Sequence, residues 1–198
     1  FSVIVSANCF TIVDEGHTGV VVTLGKVNEG VLQEGMHLKA PFVQKVVKID
    51  NRIVKLEVDT EAFSKDLQTV ATTLAINYRV DTSKSYSIYK NIGADYENVL
   101  VAPAVNEVLK AITAQYTAEE SVTNRALISD GLIQGLNEKL NNIGLYITDV
   151  NIINFDFSDA FITAIEEKQV AQQQLLKAET EKQTAITNAE AQAETTRI

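Results

Sequence analysis

Between residues 67 and 81 the chain reads LQTVATTLAINYRVD, an almost strict alternation of apolar and polar positions. In an extended backbone Val70, Thr72, Leu74, Ile76, Tyr78 and Val80 point one way, and Ala71, Thr73, Ala75, Asn77, Arg79 and Asp81 the other. One face meets a core and the other is largely polar, which predicts a strand of antiparallel type. Earlier, TGVVVTLGKV (18–27) sets β-branched residues between glycines, as a strand does. GKVNEGVLQEGMHLKAPF (25–42) carries Gly25, Gly30, Gly35 and Pro41 at close intervals and predicts turns between short strands. A further pair of strands is expected across VVKIDNRIVKLEVDT (46–60).

After Ser83 the period lengthens. Val101, Val105, Val108, Leu109, Ile112 and Tyr116 recur at three and four, with Pro103 forcing a kink or a fresh helix start. Thr117 and Glu120 form a capping box for a helix that buries Ile128, Leu132, Ile133, Leu136 and Leu140 and stops near Gly144. Gly131 and Gly135 within it imply close packing against another helix. LYITDVNIINFDF (145–157) returns to strand character, and Ser158 or Asp159 caps a last helix that meets no Gly or Pro before Ile198. That helix is a puzzle, because beyond a few large residues its apolar positions are all Ala, too thin a stripe to seat it on a globular core. The pattern is α+β followed by a rod.

Composition narrows the function. Of 198 residues 45% are hydrophobic, enough for a packed core, and the formal net charge of -9 repels a phosphate backbone, so nucleic acid is not an expected partner. Lys and Arg form no cluster along the sequence. Cys9 is the only cysteine, which excludes an internal disulfide; it reads as a small hydrophobe, with lipid attachment the lesser alternative. Asp14, Glu15 and His17 sit close in sequence but alternate in direction, and read as a charged turn; His37 has no second ligand near it. Glu119–Glu120 and Glu166–Glu167 read as helix surface. No nucleophile elbow, phosphate loop or dinucleotide fingerprint occurs, so neither catalytic residues, nor a metal, nor a cofactor is expected.

Five ordered blocks carry a resemblance: VDEGHTGVVVTLGKV, EGMHLKAPFVQKVVKID, SKDLQTVATTLAINYRVD, IGADYENVLVAPAVNEVLKAITAQYTAEE and FDFSDAFITAIEEKQVAQQQLLKAETEKQ. The most specific pieces are SKDLQ (64–68), IGADYE (92–97) and AIEEKQVAQQ (164–173). Together they resemble the prohibitins of the SPFH (stomatin/prohibitin/flotillin) superfamily. The resemblance implies two small α+β SPFH subdomains of antiparallel strands with packed helices, followed by a long coiled-coil-forming helix. The corresponding boundaries are 1–12 for the end of an N-terminal membrane anchor, 13–80 and 81–157 for the two subdomains, and 158–198 for the start of the helix.

It further implies a membrane-anchored scaffold, with copies of itself or a paralogue, a lipid bilayer and a membrane AAA protease as partners. Assembly would form a large ring or cage that organises local membrane, and a bacterial or mitochondrial inner membrane is the expected location. Phe1, Val3, Ile4 and Val5 are the candidate end of the anchor, and an edge strand or a disordered start is the equal alternative; Pro41, Phe42 and Val43 are candidates for dipping into the bilayer or for a buried turn. Along the last helix Ala171, Leu175, Ala178, Ala185 and Ala189 are the candidate contacts between subunits, small enough to let helices approach closely in a closed ring. Two rivals stand beside this reading, a small adaptor working as monomer or dimer, and an enzyme subunit.

Overall fold

The structure, a computed structural model, describes residues 9–195. The candidate anchor residues Phe1, Val3, Ile4 and Val5 lie outside the described residues. The chain divides after Asp156 into two units, each with its own account below.

In the first unit, β1 (Phe10–Val13) and β4 (Gly35–Leu38) form a two-stranded ribbon. β2 (His17–Thr23) is flanked by β3 (Lys26–Val27) and β5 (Gln44–Asp50) in a second sheet. A third sheet has the order β6 (Val54–Phe63), β7 (Thr69–Val80), β8 (Leu145–Phe157). The alternation read from 67–81 is realised in β7: Val70, Thr72, Leu74, Ile76, Tyr78 and Val80 are all buried. The pair expected across 46–60 is corrected. β5 and β6 both form, but each belongs to a different sheet. Asn51, which resembles a hairpin turn residue, is instead a tie: its Nδ2 donates to the Val80 carbonyl at 3.1 Å and to Ser85 Oγ at 3.0 Å, and its Oδ1 accepts from Thr18 Oγ1 at 2.5 Å.

Helix α1 (Ser85–Asn91) is followed by a π-helical turn (Glu97–Val101), then α2 (Ala102–Thr113), α3 (Ala118–Thr123) and α4 (Arg125–Leu140). Pro103 falls in the first turn of α2, directly after the π-helical turn. The wider turn just before it is compatible with the carbonyls that Pro103 leaves unpaired. The Thr117–Glu120 capping box is present, but it starts the short α3; Asn124 leaves helical geometry and α4 begins afresh. On α4, Ile128, Leu132, Leu136 and Leu140 are fully buried and Ile133 is partly so. A Cβ at Gly135 would come 2.7 Å from Val108 Cγ1 and one at Gly131 3.3 Å from Ile112 Cδ1, so both glycines set the close approach of α4 to α2.

One continuous core joins Val20 and Ile49 of the second sheet to Leu74, Ile76 and Tyr78 of the third and to Leu109 and Leu132 of the helices. Each fully buried Leu contributes about 2–3 kcal/mol by leaving water. The free edge of β8 is satisfied by a side chain: Asn137 of α4 accepts from the Ile147 N–H and donates to the Ile147 carbonyl, both at 2.9 Å. The SKDLQ turn is anchored likewise. Asp66 accepts from Ser64 Oγ at 2.6 Å and from the Ala118 N–H at 3.0 Å, closing the N-terminus of α3, and these bonds hold its carboxyl below the usual range.

The second unit is α5 (Asp159–Thr195), capped by Ser158, whose Oγ accepts from the Phe161 N–H at 3.3 Å. Thr180, Thr184 and Thr187 each return their hydroxyl to the carbonyl four residues back, which satisfies the hydroxyl within the helix.

Candidate functional site

The β1–β4 ribbon inverts the usual sense of burial. Directly opposed residues in a pair share a face, and the pairs Phe10↔Leu38 and Ile12↔Met36 are all four exposed. The opposite face, with Thr11 and His37, is half-buried. Ribbon and second sheet end together. Lys39 N–H donates to the Cys9 carbonyl at 2.7 Å, Ala40 N–H to Gln44 Oε1 at 2.8 Å, and Leu24 N–H to the Val43 carbonyl at 2.9 Å. These bonds hold the 24–25 and 40–43 loops side by side as one tip.

At that tip Leu24 and Phe42 are 81% and 83% exposed, and both adopt left-handed backbone, with φ of 47° and 66°. A non-glycine residue in this region costs roughly 1–2 kcal/mol. Neither side chain recovers the cost by burial. Leu67 in the SKDLQ turn is likewise 80% exposed with a φ of 60°, so the strain alone does not single out the tip. Of the three residues expected at the bilayer, Phe42 and Val43 are exposed and Pro41 is half-buried beneath them. Sequence reading did not find Phe10, Ile12, Met36 and Leu38, because two four-residue strands some 25 positions apart give no window in which their apolar side shows, and it read Leu24 as part of the 18–27 strand rather than as a turn.

At the opposite end of the second sheet the charged groups neutralise one another. Lys48 Nζ meets Asp14 at 2.7 Å, Arg52 meets Asp50 at 2.7 Å, and His17 Nε2 lies 3.7 Å from Asp50. The Arg52 hydrogen bonds lower the Asp50 carboxyl to about 2. Among the described residues no three His, Cys, Asp or Glu are placed to hold a metal ion, and no helix is long and apolar enough to cross a membrane. Tyr78 Oη donates to Glu97 inside the first unit, and Tyr96 meets the Tyr78 ring edge-on at 6.3 Å. Burial raises the Tyr78 phenol far above its ordinary value, so it stays neutral and structural.

Along α5 every residue from Glu166 to Ala189 is exposed. Ala171, Leu175, Ala178, Ala185 and Ala189 fall within a stripe about 80° wide at 100° per residue, with the exposed Ile186 beside it. The spacing along it is informative: Ala160 and Ala171, Ala164 and Leu175, Leu175 and Ile186, and Ala178 and Ala189 are each eleven apart. Eleven residues in three turns give 3.67 per turn, so the stripe runs nearly along the axis.

Comparison with known proteins follows these two surfaces. The sequence model of the SPFH domain / Band 7 family matches residues 11–193, across both units. Prohibitin-1 of Saccharomyces cerevisiae is 35% identical over 187 residues, which is 90% of this chain and 65% of the yeast protein. Mitochondrial prohibitin complex protein 1 of Caenorhabditis elegans is 37% identical, over 94% of this chain and 70% of its own length. Prohibitin 1 of Gallus gallus is 35% identical, over 90% and 68%. The chain thus spans about two thirds of the length of these relatives. By both measures the chain belongs to the SPFH domain / Band 7 family, as a prohibitin-like member.

Proposed function

We propose that this chain is part of a membrane-attached scaffold whose function is carried by assembly rather than by catalysis. The observation that supports it most is the apolar end of the first unit. Phe10, Ile12, Met36 and Leu38 on the ribbon and Leu24, Phe42 and Val43 at the tip are all exposed. The chain also enters β1 from this same end, beside Lys39. An anchor preceding Phe10 would therefore bring the tip to the bilayer surface. Two SPFH subdomains meeting near residue 80 remain the proposed division of the first unit, although β7 and β8, from either side of that point, share a sheet.

The exposed stripe on α5 supports lateral assembly with further copies of this chain or a paralogue into a ring or cage. The nematode relative is named as part of a prohibitin complex, which favours the same reading, and its mitochondrial name favours a mitochondrial membrane over a bacterial one. Regulation of a membrane AAA protease would then act through the assembled scaffold. The test is Leu24→Ser with Phe42→Ser. Replacing two exposed side chains with serine leaves the core untouched, so the melting temperature should hold, while binding of the 198-residue chain to phosphatidylcholine vesicles should fall roughly tenfold or more. Unchanged binding would remove the tip from the account.

A further inference from the structure

The chain carries a net charge of -9, yet residues 16–28 and 35–49, which build the tip and the sheet behind it, contain Lys26, Lys39, Lys45 and Lys48 and not one Asp or Glu. Lys48 is taken by Asp14 toward the far end of the sheet. Lys26, Lys39 and Lys45 make no ion pair among the described residues, and the fold gathers them at the tip. Lys26 stands opposite Thr23, Lys45 opposite Val22, and Thr23 in turn opposite Gln44, all in the last two rows of the second sheet. Lys39 is tied through its backbone to Cys9 at the end of the ribbon. Lys26 and Lys45 are exposed and Lys39 is half-exposed. Residues spread over twenty positions form no cluster in the sequence, and the fold brings them to one end of the first unit. Glu29 lines one hollow with Lys26, Tyr86 and Lys90, and Lys90 is kept protonated chiefly by its hydrogen bond to Tyr86, with Glu29 a lesser cause.

Three cations around exposed Leu24, Phe42 and Val43 fit an interface with two layers, hydrocarbon below and phosphate at the headgroup level. The lysine stems are long enough to lie along apolar surface while the ammonium groups remain in the polar layer. A neutral bilayer would satisfy the apolar side chains alone. Lys26 shares one face of the sheet with Thr23 and Gln44 and Lys45 the other with Val22, so the cations flank the tip on both sides and gain where the surface that the tip meets is negative. The remaining charges of the chain would repel that same surface, so these three also fix which end approaches it.

We propose that the tip selects membranes containing anionic phospholipid, with Lys26, Lys39 and Lys45 meeting headgroup phosphates around the inserted Leu24 and Phe42. The inference rests on the membrane-facing reading of the tip and adds the lipid class to it. The test uses the 198-residue chain with vesicles of phosphatidylcholine alone or with about 30 mol% phosphatidylglycerol, at low ionic strength. Binding to the anionic vesicles should be roughly ten- to a hundredfold tighter, and the difference should collapse at about 0.5 M salt. The variant Lys26→Gln, Lys39→Gln, Lys45→Gln should keep its melting temperature and its binding to phosphatidylcholine but lose the preference; the three Lys→Arg substitutions should retain it. Equal binding of the native chain to both vesicles, or a preference that survives the Gln variant, overturns the proposal while leaving a membrane-facing tip in place. Binding to neither vesicle overturns both.

Discussion

At Gly144 the backbone takes φ +100°, and a Cβ added there would lie 2.3 Å from Cβ of Lys84. The residue ends the helical run after α4, and its carbonyl accepts from the Asp81 N–H at 2.8 Å, fixing where β7 hands over to α1. Gly144→Ala should therefore cost about 2–4 kcal/mol, a fall of roughly 5–15 °C in melting temperature measured calorimetrically. Asp50 makes a second residue-scale prediction. Its carboxyl is lowered to about 2 by Arg52, so the folded state favours the charged form. That contribution is complete above the ordinary carboxylate value near 3.9 and is lost as pH falls through about 2. With Asp50 29% and Arg52 62% exposed, it amounts to roughly 1 kcal/mol after solvent screening. Denaturant titrations between pH 5 and pH 2 should show a shallower loss of stability for Asp50→Asn than for the native chain.

Among the elements, α5 makes the sharpest claim. If neighbouring subunits pack along the stripe, single Cys residues at Ala178, Ala185 or Ala189 should cross-link readily in membranes and those at Glu181 or Glu194 less, Cys9 serving as the background control. Ala185→Glu should weaken assembly, since a bulky charged side chain would hold apart helices that approach through Ala, at a cost of about 1–3 kcal/mol per site even with Lys182 three residues earlier on the same stripe. Uniform cross-linking would make α5 a solvated rod. The elements also show what a sequence reveals. β7 is legible because twelve residues alternate against one core, and α5 because a long run of helix formers meets no breaker. The capping box at Thr117 was legible, but the break at Asn124 was not, because the apolar period runs straight through it. β5 and β6 were legible as strands and not as partners, since pairing is decided by Asn51 reaching to Thr18, Val80 and Ser85, contacts that no local pattern encodes. The ribbon was hidden for a different reason. Apolar residues are read as core, and here Phe10, Ile12, Met36 and Leu38 face outward.

For the whole molecule, the proposed scaffold rests on two exposed surfaces with different chemistry. The tip is apolar with a lysine fringe and suits a bilayer surface; the α5 stripe is rich in Ala and suits close repetition of identical helices. Individually the stripe is weak, because small side chains bury little area. In a closed ring every copy has two neighbours, so modest contacts act together and assembly becomes all-or-none. The family match, residues 11–193, includes every residue of the two surfaces except Phe10. The most direct measurement is the particle mass of the full-length protein extracted from its native membrane in mild detergent, by light scattering or mass photometry. The scaffold account predicts one large species of many subunits that falls apart in Ala185→Glu. Monomers or dimers of the native protein at every detergent concentration would contradict it and favour an adaptor that works alone.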